Sequence, residues 1–256
     1  MTEISKLFIL LAGYEIIRKS GCIRDAQRNI VLAVPICCYL METARGYVMF
    51  DTGLDSQALQ DHAGARKKFV NDTFPAPPIV LPEHEVLGQL SAIGVAPADI
   101  VEIILSHAHG DHTGHLRDFP NARITVQKRE LDAALADSKR MNFAEYADAA
   151  LRWNIIDGDA TMMDGLDVVF TRGHQPGHQS LVVRLPNSGV KILTGDVADL
   201  LENFEREVLG SSMDDVAALA SIRRLKAIAA ETGGEIVPLH DPGFVQTARL
   251  CPMFYD

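Results

Sequence analysis

Cysteine is sparse and never paired at metal-ligand spacing: Cys22, Cys37, Cys38 and Cys251 are the whole complement, and none forms a CxxC. That argues against a cysteine-ligated zinc site and for buried free thiols in a cytoplasmic protein. Cys37 and Cys38 are adjacent, so a strand would turn them to opposite faces. Basic charge is in deficit, with 24 Lys and Arg against 34 Asp and Glu and a formal net charge of −10. This disfavours nucleic acid or an anionic membrane as partner and favours a small molecule. The amino-terminal apolar run, Leu7 to Ala12, is too short to span a membrane and has no basic leader, so it reads as a first core strand. Internal repeats, low-complexity tracts and linkers are absent. The expectation is one domain over residues 1–256.

What is present alternates between two periods. NIVLAVPICCYLMET and GYVMFDTG read as strands around a hairpin at ARG, the second ending on Asp51. Residues 55–82, polar and proline-rich, predict a loop with a short helix that could cover a pocket. PEHEVLGQLSAIG has helical spacing and DIVEIILS reads as a strand. ARITVQK predicts another strand and residues 130–153 a helix, followed by short strands at NIID, LDVVFTR, SLVVRLP, VKILTGD and EIVPLH. An amphipathic helix is expected from Met213 to Thr232, capped by Ser212. This interleaving indicates a layered α/β protein.

SHAHGDHTGH, Ser106 to His115, places four histidines and an aspartate in ten residues directly after a predicted strand. Extended backbone turns His107 and His109 to the same side, and the bend at Gly110 lets Asp111 and His112 face a neighbouring position. Imidazole and carboxylate with an open position suit a hydrolytic metal site better than a closed structural one. Three further strand ends carry ligand-type residues: His174 after LDVVFTR, Asp196 after VKILTG and His240 after EIVPL.

In that order, His107-x-His109-x-Asp111-His112, His174, Asp196 and His240 resemble the metallo-β-lactamase superfamily, and Asp51-Thr52-Gly53 fits as well. Within it the segments VPICCYLMETARGYVMFDTG, GHQPGHQSLVV, LTGD, ENFE and SIRRLKAIA are similar to the bacterial N-acyl-homoserine lactonases, with the similarity running from about residue 6 to residue 254. The resemblance implies an αβ/βα sandwich, two packed mixed β-sheets with helices on the outer faces. It also implies a dinuclear site for two divalent ions, zinc being expected. His107, His109 and His174 would hold one ion, Asp111, His112 and His240 the other, and Asp196 would bridge them. Asp51 would orient a ligand or its loop. The implied reaction is hydroxide attack on a lactone carbonyl, with Asp111 moving the proton to the leaving alkoxide, and a homodimer is a further expectation.

One position departs from the lactonases. Asp199 stands where they carry a tyrosine, and a carboxylate cannot donate to an oxyanion as a phenol does. It is a candidate catalytic residue or a binder of an amide N–H or cationic group, with a solvent-facing or helix-capping role as the alternative. It also favours a different ring, of pyridoxolactone or γ-butyrolactone type, as alternative substrate. Thioester or other ester hydrolysis and an inactive ligand-binding homologue are the remaining readings. His115 and His178 are expected beside the ligands without binding metal, and His62 and His84 in solvent. Trp153 is expected in the core, Phe69 and Phe74 in a structural loop with the lining of an acyl-chain pocket as the alternative, and Arg223-Arg224 on a solvated helix edge.

Overall fold

A computed structural model describes residues 2–136, 148 and 150–256. The first sheet runs in sequence order: β1 (Ile4–Arg18), β2 (Val31–Thr43), β3 (Gly46–Phe50), β4 (Ile100–Ile104), β5 (Arg123–Gln127) and β6 (Arg152–Ile156). Its first three strands are antiparallel and the rest join in parallel. The second sheet comprises β7 (Ala160–Met163), β8 (Leu166–Phe170), β9 (Gln179–Leu185), β10 (Gly189–Leu193) and β11 (Glu235–Val237). It is antiparallel except for the β10–β11 pair.

Alternation along β2 explains how the sheets pack. Cys37, Tyr39 and Met41 enter the gap between the sheets and meet Leu166, Val168, Leu181 and Val183 of the other one. Ile36, Cys38 and Leu40 point the opposite way, which is why β2 reads as a continuous apolar run. The outer face of the first sheet is covered by α2 (His62–Phe69), α3 (Val86–Ala92) and α4 (Lys128–Ala136). The outer face of the second is covered by α5 (Leu201–Arg206) and α6 (Asp215–Thr232). Short helices α1 (Lys19–Cys22) and α7 (Pro242–Thr247) are also present. Each fully buried Leu or Ile in these layers contributes about 1.5 to 3 kcal/mol. Among the described residues no helix is long and apolar enough to cross a membrane.

Several expectations are corrected. The helix expected over 130–153 begins earlier, at Lys128, and Arg152 and Trp153 instead open β6, paired with Arg123 and Ile124. Residues 137–147 and 149 of that expected helix lie outside the described residues. Parallel pairing at a sheet edge outweighs local helical preference there. Helix α6 is capped by Asp214, which accepts from the Ala217 N–H at 3.0 Å, while the Ser212 hydroxyl donates to Asp215. His84 is buried rather than solvated. Its Nδ1 accepts from the Leu81 N–H at 3.2 Å and its ring meets Tyr14 of β1 edge-on.

Candidate metal centre

Strands β3, β4, β8, β10 and β11 point their carboxyl ends toward one edge of the sandwich, where the chain leaves the sheets and side chains can converge. Asp51 follows β3 with φ of 60°, a left-handed backbone that aspartate tolerates better than most residues. The loop after β4 carries His107 to His112 and is stitched to the β3 end by Thr52, whose N–H and hydroxyl both donate to His112 O. Gly195 after β10 has φ of 56°, and a Cβ there would stand 2.7 Å from His178 Nε2. Glycine is therefore required for the turn that presents Asp196.

All seven candidate ligands meet. His107, His109, His174 and Asp196 form one group and Asp111, His112, Asp196 and His240 a second, with ligand atoms inside each group within 4.8 Å of one another. Asp196 belongs to both through different oxygens. Its Oδ2 lies 3.7 Å from His107 Nε2 and 3.5 Å from His174 Nε2. Its Oδ1 lies 3.4 Å from His112 Nε2 and 3.2 Å from His240 Nε2.

The outer ring nitrogens are already engaged. His174 Nδ1 donates to Ser211 O, His240 Nδ1 donates to Pro35 O, and His112 Nδ1 contacts Asp51 Oδ2 at 2.8 Å. His107 Nδ1 lies 3.0 Å from the Ser106 hydroxyl. A proton held on the outer nitrogen leaves the inner lone pair for a cation. His112 Nε2 and Asp196 Oδ1 are buried without a hydrogen-bond partner, and buried polar atoms facing each other in this way fit a cation between them. The residues present thus suit divalent metal.

Charge agrees with geometry. Burial resists ionisation of Asp111 and Asp196, yet His112 foremost among their neighbours holds Asp111 down to about 2 and Asp196 well below the carboxylate range. Burial, with the neighbouring imidazoles, keeps His107 and His109 neutral, His109 down to about 3. His112 and His240 are driven the other way: burial opposes their charge, but carboxylates led by Asp111 and Asp196 respectively overcome it. Metal loading therefore displaces protons from this half.

Residues outside the ligand set hold the loops. Asp51 Oδ1 accepts from the Ser106 N–H at 2.7 Å. His178 Nε2 accepts from the Asp196 N–H at 2.9 Å, with its Nδ1 against Thr171. His115 pairs with Asp118 and stands apart from both groups. Glu130, at the start of α4, is a residue that pattern reasoning missed. Completely buried, it accepts from Ala108 N and Gly177 N, each at 2.9 Å, and so ties together the loops of His107–His109 and His174.

A cavity of about 620 Å³ opens beside the centre, lined by His109, Asp111, His174, Asp196 and His240. Phe69 and Phe74 also line it, so the segment over 55–82 forms cavity wall rather than a structural loop alone. Asp199 lines it too, which corrects the solvent-facing or capping alternative. It is half-buried, and burial followed by the charge of Asp196 pushes it up to about 6. Glu15 of β1 is a second carboxylate in this wall, pushed up to about 8 by burial and then by Asp111. Its one sequence signal was a lone charge in the apolar run LFILLAGYEII. Trp153 packs half-buried against the first sheet's outer core, His62 is exposed, and Arg223 and Arg224 pair at the surface with Glu207 and Asp159.

Known proteins share this architecture. A sequence profile for the metallo-beta-lactamase superfamily matches residues 33–240. N-acyl homoserine lactonase AiiA of Bacillus thuringiensis subsp. kurstaki is 33% identical over 98% of this chain and 99% of its own. N-acyl homoserine lactonase AttM of Azorhizobium caulinodans is 32% identical with both chains wholly covered. An N-acyl homoserine lactone hydrolase structure with N-hexanoyl-L-homoserine at its catalytic metal center superposes with a TM-score of 0.90 at 33% identity, again over both whole chains. Full-length similarity at that level, with the fold and the converging histidines and aspartates, shows that the chain belongs to the metallo-beta-lactamase superfamily, in the family of the N-acyl homoserine lactonases.

Proposed function

We propose that the protein is a metal-dependent hydrolase that opens the ring of N-acyl-homoserine lactones, with two zinc ions in the native enzyme. His107, His109 and His174 would hold one ion and Asp111, His112 and His240 the other, with Asp196 belonging to both groups. The observation that carries this reading is the division of Asp196, whose two oxygens face separate sets of histidines. The lactonases similar to this chain along its whole length support the choice of substrate.

Bound divalent cations would supply Lewis acidity toward the lactone carbonyl and lower the pKa of water. In the net reaction a water oxygen bonds to the carbonyl carbon, the ring C–O bond breaks, and the proton lost by water reaches the ring oxygen. Asp111 carries that proton. It is ionised and lines the cavity, so a carboxylate oxygen free of its proton opens onto the space where substrate would bind. Asp51 keeps His112 Nδ1 occupied, so that Nε2 faces inward. His178 fixes the backbone at Asp196.

The test is ring opening followed by pH-stat beside metal analysis of the same preparation. Two equivalents of metal, hydrolysis of N-hexanoyl-homoserine lactone, and loss of both on chelation or in His109→Ala are expected. A metal-loaded protein that leaves this lactone intact would overturn the reading.

A further inference from the structure

Of the five histidines in the two ligand groups, His107, His112, His174 and His240 have an outer Nδ1 held by Ser106, Asp51, Ser211 O and Pro35 O respectively. His109 faces the centre the other way round. Its Nδ1 points inward, 2.8 Å from His107 Nε2 and 3.2 Å from His174 Nε2, which leaves Nε2 as its outer nitrogen. There it meets the side-chain amide of Gln175, whose nitrogen lies 2.8 Å away. Gln175 follows the candidate ligand His174 in a tight loop, where its own carbonyl accepts from the Gly173 N–H at 3.1 Å and the His178 N–H at 3.3 Å. A Cβ at Gly173 would run into the backbone of Ala218, so this loop lies hard against α6. Gln175 is buried and is not among the residues lining the cavity. It can therefore reach the chemistry only through His109.

A neutral imidazole has one N–H and one lone pair, and a carboxamide can meet either. With the NH2 group of Gln175 on His109 Nε2, the lone pair is spent outward and a hydrogen stands on Nδ1, aimed at His107 and His174. A half-turn of the amide about its last side-chain bond puts the oxygen on an Nε2–H instead. Only that arrangement leaves the Nδ1 lone pair facing His107, His174 and Asp196, as a metal ligand requires. We infer that Gln175 is a positioning residue whose amide oxygen accepts the Nε2–H of His109 and so holds the ring in the tautomer that binds metal beside His107 and His174. This rests on the metal-binding part of the reading above and gives His109 the counterpart of what the other four rings have.

The experiment compares wild type with Gln175→Leu, which keeps bulk and loses the acceptor, and Gln175→Glu, whose carboxylate can only accept. Circular dichroism and urea denaturation report folding. Zinc affinity is measured by competition with a chromophoric chelator. The tautomer of His109 is read from proton–nitrogen correlation spectra of chelator-treated protein, assigned with His109→Ala. In Gln175→Leu one of the two zinc equivalents is expected to weaken about 10- to 100-fold, with His109 shifting toward the Nδ1–H form. Gln175→Glu should recover most of that loss and, like wild type, show His109 with its hydrogen on Nε2. Equal affinities in wild type and folded Gln175→Leu overturn the inference, as does a loss that folded Gln175→Glu shares, or a wild-type His109 with its hydrogen on Nδ1. A wild type that takes up no zinc strikes the metal-binding reading instead, and the tautomers still decide what Gln175 does to His109.

Discussion

The rim of the centre and the wall of its cavity are built differently, although they share residues of the same loops. At the rim nearly every group is held twice. His112 is held by Asp51 and the Ser106 hydroxyl at Nδ1, Asp51 grips Ser106 N–H as well, and Glu130 joins two ligand loops. Along the wall, Asp199 meets the Cys22 thiol, and Phe74 packs half-buried against the cluster of Ile17, Cys22, Ile23, Val34 and Leu200. The difference teaches where chemistry and selectivity are separately encoded. A reaction centre needs groups fixed to a fraction of an ångström, whereas an apolar wall packed against a side cluster needs shape and not fixed polar geometry.

The strongest way to break this contrast is Asp51→Asn. It keeps the shape but removes the charge that orients His112, and metal affinity or activity should fall about 10- to 100-fold, measured by competition with a chromophoric chelator. An unchanged affinity would show that the rim is not held from behind. Glu130→Gln probes the same idea through folding. One carboxylate oxygen becomes an amide facing an N–H, and urea denaturation should show a loss of about 1 to 3 kcal/mol with weaker metal retention. No loss would make the Glu130 link ornamental.

A third measurement separates the edge from the interior. Burial raises the Cys37 thiol from its ordinary range to about 12. The folded state therefore holds that proton more tightly than the unfolded one. Its contribution is complete below pH 9 and is lost as pH climbs from there through about 12. Stability followed in urea should decline across that window, less steeply in Cys37→Ala, while metal content at neutral pH stays the same. Equal slopes would exclude Cys37 as a source of alkaline sensitivity. The smallest effect is expected at the wall. Phe74→Ala should leave metal content intact and raise KM for a decanoyl substrate about fourfold more than for a hexanoyl one, the worth of one buried methylene. A fall in bound metal would join wall and rim into one unit.

The legible part of this molecule is the part whose cause is local. His107 to His112 could be read because strand and turn periodicity act over ten residues, and His174, Asp196 and His240 because each follows an apolar run that stops abruptly. Cys37 and Cys38 fall on opposite faces of β2 for the same local reason. Glu130 was illegible because its partners, Ala108 and Gly177, are 22 and 47 residues away and are brought in by the packing of α4 against two loops. His84 looked solvated among polar neighbours until Tyr14 of a distant strand covered it. Ser212 lost its capping role to Asp214 by a shift of two residues, the scale at which helix ends are least determined by sequence.

The carboxylate of Asp196 has a consequence for equilibrium as well as for placement. Because one rigid, planar group faces both sets of histidines, it cannot turn toward one without setting its angle to the other. Under the proposed ligation the two uptake equilibria are therefore linked, and the linkage is reciprocal. Whatever factor the first ion applies to affinity for the second, the second applies to the first. Loading curves for the two positions then share a single coupling constant, and a protein carrying one ion differs from half of a protein carrying two.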